Sequence, residues 1–154
     1  MVTREETIEV IKNYPHLNRL IHERRQAILH PYQEFKDENI NGGRAQNVRN
    51  EAIERSVEQL DADVELNALY KQQEAVSYVL GKCVDKQVRS LLDNTTYHII
   101  YEFYLRETQI YNAEGIAQKV GLSRSGMYKR KDAFINAVQE ELSKVDKKWT
   151  ITQK

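Results

Sequence analysis

The segment NAEGIAQKVGLSRSGMYKRKDAFINAV, residues 112–138, leaves this chain few ways to fold. Asn112 is a side chain that caps helix starts, and Ile116 and Ala117 follow at the spacing of one buried helical face. Gly121 then stands where a helix ends most easily in a left-handed residue. Ser123 is a second cap, and Met127, Phe134, Ile135, Val138 and Leu142 recur every three or four residues behind it. The pattern predicts a short helix over residues 113–120, a glycine turn, and a longer helix over residues 124–145. Ala117 is small where the two helices would cross, and Leu122 would plug the junction.

The rest of the chain is also helical in character. Glycine (6) and proline (2) are sparse among 154 residues, and β-branched runs of the strand type are missing. We therefore expect an all-α protein with a modest core, since 40% of residues are hydrophobic and 30% charged. Thr3 and Glu6 have the spacing of a capping box and open a helix over residues 4–13. Pro15 should break it or start a new one, giving a second helix over residues 16–30 that ends before Pro31. Residues 31–47, with Gly42 and Gly43, read as a loop and hinge. From Val48 an apolar stripe runs through Ile53, Val57, Leu60, Val64, Leu69, Val76 and Leu80, with Gly81 as one place where it could be interrupted. Asp85 would open a further helix, so residues 48–92 form one long helix or two nearly collinear ones. A helix this long and acidic cannot bury its stripe alone. It must pack on helix two, on the C-terminal part, or on a second copy. The cluster Asp93-Asn94-Thr95-Thr96 reads as turn and cap residues before a helix carrying Ile99, Ile100, Phe103 and Tyr104. The organisation expected is thus residues 1–47, residues 48–92 and residues 93–154. The tail after Asp146 should fray.

Charge is distributed unevenly. The chain is formally neutral, yet Lys119, Arg124, Lys129, Arg130 and Lys131 fall within residues 115–131, where there is no acid. Two helices joined by a glycine turn are the plan of a helix-turn-helix, whose second helix places its N-terminal residues in the major groove of double-stranded DNA. Arg124, Ser125, Tyr128 and Lys129 lie on the side away from the predicted core. Arginine and lysine there can donate to guanine, and serine can donate or accept. Ser123 sits at the same end of the helix. Lys119, Arg130 and Lys131 flank the face at a height suited to phosphates, which give affinity where base contacts give preference. A solvated basic face on a structural hairpin is the alternative.

Other chemistry is thinly represented. Cys83 is the single cysteine, so no internal disulfide framework or CxxC site is available. It reads as a small buried helical residue. His16, His22, His30 and His98 are scattered without metal spacing, and no nucleophile elbow or P-loop occurs. We expect no enzyme, cofactor or metal. Tyr97, Tyr101, Tyr104 and Tyr111 could stack on bases, but at helical spacing they fit a core that holds the first helix of the pair. The charged opening MVTREETIEV is unlike a signal peptide, and no apolar run reaches the ~18 residues of a membrane span. A cytoplasmic protein without membrane partners is expected.

The chain resembles the RinA and ArpU group of phage-encoded transcriptional regulators of Gram-positive bacteria. The likeness rests on IKNYPHLNRLIHERRQAILHP, the Gly-Gly loop ENINGG, the long acidic helix, and YHIIYEFYLRE leading into residues 112–138. That last part is also similar to the DNA-reading region of sigma factors. Glu114 takes the place of the acid in an E-I-A-type triplet, and Gly115 stands where an apolar residue is common. The resemblance implies an activator of phage late genes for packaging, morphogenesis and lysis, acting in the bacterial host on promoter DNA and host RNA polymerase. A homodimer through residues 48–92 would let it read palindromic half-sites. Two other classes remain open: a small terminase-like DNA-packaging subunit, and a helical adaptor that binds only protein.

Overall fold

A computed structural model describes residues 2–30, 48–84 and 91–152. These residues form an all-α protein, with no strand among them. The helices are α1 (Arg4–Leu29), α2 (Val48–Ala62), α3 (Val64–Val84), α4 (Leu91–Ile100), α5 (Ala113–Val120) and α6 (Arg124–Thr152). A π-helical turn (Tyr101–Leu105) continues α4 and closes with a bond from the Arg106 N–H to the Tyr101 carbonyl at 2.9 Å. No described helix is long and apolar enough to cross a membrane.

The chain divides into two compact units. One comprises Met1–Leu17 with Lys71–Lys154, and the other Asn18–Tyr70. The division does not follow the expected breaks at residues 47 and 92, because α1 and α3 each contribute residues to both units.

In the larger unit, Ile11 of α1 and Ala75, Val76, Val79 and Leu80 of α3 pack with Ile100, Phe134, Ile135, Val138 and Leu142. A second cluster joins Ile99, Ile116, Ala117 and Met127. Full burial of each large aliphatic side chain contributes roughly 1.5–3 kcal/mol. The start of α1 is the predicted capping box: the Thr3 N–H donates to Glu6 Oε2 at 2.8 Å and the Glu6 N–H to Thr3 Oγ1 at 3.2 Å.

Pro15 does not break α1, contrary to the expected helix pair. Its missing N–H forfeits the bond to the Ile11 carbonyl four residues back, and the ring itself is exposed. Ile11 and Leu17 are fully buried on either side, and the Tyr14 hydroxyl bonds Ser77 Oγ at 3.0 Å. Packing therefore carries the helix through the proline.

In the smaller unit the expected long helix divides at Asp63 and not at Gly81, which lies inside α3. Asp63 Oδ1 accepts the Leu66 N–H at 2.7 Å, as a helix cap does. Arg24 holds the same carboxylate in a fork, Nε to Oδ1 at 3.1 Å and an NH2 nitrogen to Oδ2 at 2.7 Å. The Asp93–Thr96 cluster is likewise not a turn, because α4 already runs from Leu91. There Thr96 uses its hydroxyl to accept from Arg130 at 3.3 Å. The α6 helix extends past Val145 to Thr152. The expected loop over residues 31–47, the helix start at Asp85 and the surroundings of Cys83 lie outside the described residues.

Candidate nucleic-acid interface

The α5–α6 junction is built from local bonds. Asn112 adopts an extended conformation, and its side chain accepts the Gly115 N–H at 2.8 Å. A Cβ on Gly115 would lie 3.2 Å from that capping oxygen and 3.4 Å from Tyr111 Cβ. The absent side chain thus leaves room for the cap. Gly121 has φ 71°, the left-handed region that costs other residues about 1–2 kcal/mol. Its N–H reaches the Gln118 carbonyl at 3.2 Å, and the Leu122 N–H reaches that of Ala117 at 3.0 Å. This pair of bonds is a Schellman motif, and it satisfies carbonyls that a helix end would leave bare. Ser123 Oγ accepts the Gly126 N–H at 3.2 Å and starts α6.

Beneath the junction, Ile99, Ile116, Ala117 and Met127 are buried, with Phe103, Leu122 and Tyr128 packed around them. The expected core positions Phe134, Ile135, Val138 and Leu142 are buried further along α6. Tyr97 and Tyr104 are partly buried against the larger core, while Tyr101 and Tyr111 stay exposed.

Of the eight sequence-predicted residues, Tyr128 is half-buried against the junction core and not on the face away from it as expected, and the other seven fall into two groups. Ser123, Arg124, Ser125 and Lys129 are exposed at the start of α6. Arg124 lies 5.8 Å over the ring of half-buried Tyr128, and Ser123 and Ser125 bring their hydroxyls within 3.4 Å. Lys129 pairs with no other described residue.

The remaining cations face other parts of the protein. Arg130 donates to Thr96. The Lys131 ammonium lies 4.6 Å over Phe103, 4.9 Å over Tyr128 and 5.9 Å over Tyr104. Both positions are legible in hindsight. They stand three and four residues after buried Met127 and before Phe134 and Ile135, on the core stripe, so their stems lie along apolar surface.

Lys119 donates to Glu102 Oε1 at 2.7 Å and sits 4.9 Å over Tyr111. Glu102 is 3% exposed, and its other oxygen accepts from Arg106 at 2.7 Å. The Lys119 hydrogen bond, aided by Arg106, holds the Glu102 carboxyl below its ordinary range against the opposing effect of burial.

Two residues near this face were not legible. Arg4, 128 positions away, bonds Asp132 and reaches Asn136 at 3.4 Å, offsetting the first acid beyond the basic stretch. Glu102 has no local sequence signal that marks it as buried. No group of three His, Cys, Asp or Glu side chains among the described residues could hold a metal ion. A cavity of about 370 Å³ is lined by Lys12, Pro15, His16, Phe103, Tyr104 and Arg106, among others. None of the four exposed α6 residues lines it.

The chain belongs to the family described as "Protein of unknown function (DUF722)", which it matches over residues 4–140. That span takes in all of α5, the glycine turn and the exposed start of α6. No curated protein and no solved structure matches it.

Proposed function

We propose that this family member is a sequence-specific regulator of transcription that binds double-stranded DNA with the first turns of α6 in the major groove. One observation carries the reading: Arg124, Ser125 and Lys129 are exposed together on a helix whose start is held by the Gly121 turn, the Ser123 cap and buried Met127. A groove reader needs side chains on its leading turns that can bond base edges, and donors there suit guanine. The first acid is Asp132, and Arg4 is bonded to it. Arg124 and Lys129 reach guanine acceptors, Ser125 reads either type of group, and Tyr128 supports Arg124. Ser123 borders phosphates, while Arg130 and Lys131 are turned to Thr96 and to the Phe103 and Tyr128 rings. The likeness to the RinA and ArpU regulators adds activation of phage late genes and contact with host RNA polymerase in the bacterial cytoplasm. No catalytic step enters this reading.

The test is a mobility shift on DNA from upstream of phage late genes, run across a salt series with excess random competitor. Arg124→Ala and Lys129→Ala should each weaken the competitor-resistant complex by about 10- to 100-fold, as loss of a base contact does. Variants that bind like the parent would leave the face merely solvated.

A second feature favours self-association. In α2, Ile53 is 62% and Val57 51% exposed, and Val64 at the start of α3 is 82% exposed. Ile53 and Val57 stand one helical turn apart on α2, and with Val64 they leave apolar surface that a second copy could cover. A dimer formed this way would read paired half-sites. Sedimentation should show a dimer that Val57→Glu converts to monomer. A ring of eight or more subunits would turn the reading toward DNA packaging, and a concentration-independent monomer would remove the dimer.

A further inference from the structure

The α5 helix has only eight residues and fully buries just Ile116 and Ala117. A helix that short cannot hold its own direction, yet its direction sets where the Gly121 turn delivers the start of α6. Glu102 supplies a second hold. It is buried in the π-helical turn, and each carboxylate oxygen takes one cationic donor, Arg106 from its own segment and Lys119 from the last turn of α5. Among the described residues no buried polar side-chain atom lacks a partner, so this small network is complete. Lys119 is also held sideways by the ring of Tyr111, next to the cap of α5.

We infer that Glu102 is a positioning residue for the DNA-reading helix, and that Lys119 acts through Glu102 and not on a phosphate. The inference rests on the DNA reading above. It makes a prediction opposite in sign to simple charge counting. Glu102→Gln removes a negative charge near a basic face and releases Lys119 toward solvent. Counterion arguments alone would then strengthen DNA binding. A positioning role requires that binding weaken.

The experiment measures binding of the full chain to a random-sequence duplex of roughly two helical turns, by fluorescence anisotropy across a salt series. The proteins compared are the parent, Glu102→Gln, Lys119→Met, Lys119→Arg and Lys129→Ala. Amide exchange over residues 113–120 is followed without DNA. We expect Glu102→Gln and Lys119→Met each to weaken binding roughly tenfold, as losing one charge-assisted hydrogen bond would. The salt slope should stay at the parental value, α5 amides should exchange faster, and Lys119→Arg should restore both. Lys129→Ala, which removes an exposed cation from the DNA-facing turns, should lower the salt slope by up to about 0.9. Glu102→Gln that binds as tightly as the parent or tighter, or Lys119→Met that lowers the slope by about 0.9 with α5 exchange unchanged, would overturn the inference. Because Lys119 is half-exposed, its variants test the same hold even where Glu102→Gln disturbs folding. A parent that binds no duplex would overturn the DNA reading, and α5 exchange alone would then decide whether Glu102 positions α5.

Discussion

Asp63 and Glu102 both draw cations from residues distant in the chain, and each holds something different. Asp63 belongs to the smaller unit and starts a helix. Besides the Arg24 fork it accepts the Leu66 N–H, and its side chain is 15% exposed. Glu102 belongs to the larger unit and caps nothing. It is 3% exposed, and its hydrogen-bond donors are two cationic side chains. A carboxylate at a helix start keeps a backbone donor and water when its cation leaves. A buried carboxylate between two segments has no such reserve. The smaller unit is therefore organised around a cap that an arginine reinforces. The larger unit depends on an ion pair that joins one element to another.

The strongest way to break this comparison is Met127→Ala. It empties a fully buried site under the α5–α6 junction and should lower stability by about 2–5 kcal/mol in urea unfolding. Exchange protection over residues 18–29 and 48–70 should persist where the larger unit opens. Equal loss in both units would show that they unfold as one. Acid is the next test. Lys119 chiefly holds Glu102 below the ordinary carboxylate range, and Arg24 chiefly does so for Asp63. A carboxyl whose folded value lies below its unfolded value contributes stability that is complete above the unfolded value. That stability is lost as pH falls through the folded value. Thermal melts should therefore fall steeply below about pH 4, and Glu102→Gln should flatten part of that decline. An unchanged acid slope in Glu102→Gln would show that the carboxylate is not paired in solution.

Gly121→Ala places a Cβ in the left-handed region and should cost about 1–2 kcal/mol. Calorimetry showing no change would mean the turn relaxes to another conformation. Ser123→Ala removes the cap of α6 and should cost about 1 kcal/mol by the same measurement. The smallest global effect is expected of Asp63→Ala. It should speed exchange at the Leu66 and Asn67 amides while the larger unit is unaffected. Faster exchange spreading to α5 would make Asp63 as far-reaching as Glu102 and erase the contrast.

The start of α1, the Asn112 cap, the Gly121 turn, the Ser123 cap and the buried positions of α6 were all legible, because each depends on partners within four or five residues. The exposed residues Arg124, Ser125 and Lys129 were legible for the same reason, since a helical stripe tells which positions are left over. Charge and nearness to the helix start suggest that Arg130 and Lys131 flank that face, although their spacing from Met127 places them on the core stripe. Charge shows what a side chain can bind, and periodicity shows where it stands. When the two disagree within a helix, periodicity has the stronger physical basis, because a long stem can lie along apolar surface while its head finds a ring or a hydroxyl.

By itself the sequence determined the all-α character, the two capped helices around the glycine turn, and the cluster of donors at the start of α6. Those follow from backbone conformations and bonds closed over one or two helical turns. Tertiary structure decided the rest. It carried α1 through Pro15 and placed the division between α2 and α3 at Asp63, where Arg24 arrives from 39 residues away. It set Arg4 against Asp132 across 128 residues and joined Lys119 to Glu102 across 17. No local pattern encodes these pairings, because a carboxylate and a cation attract with little regard for sequence distance. Only the packed helices determine which of them come within reach.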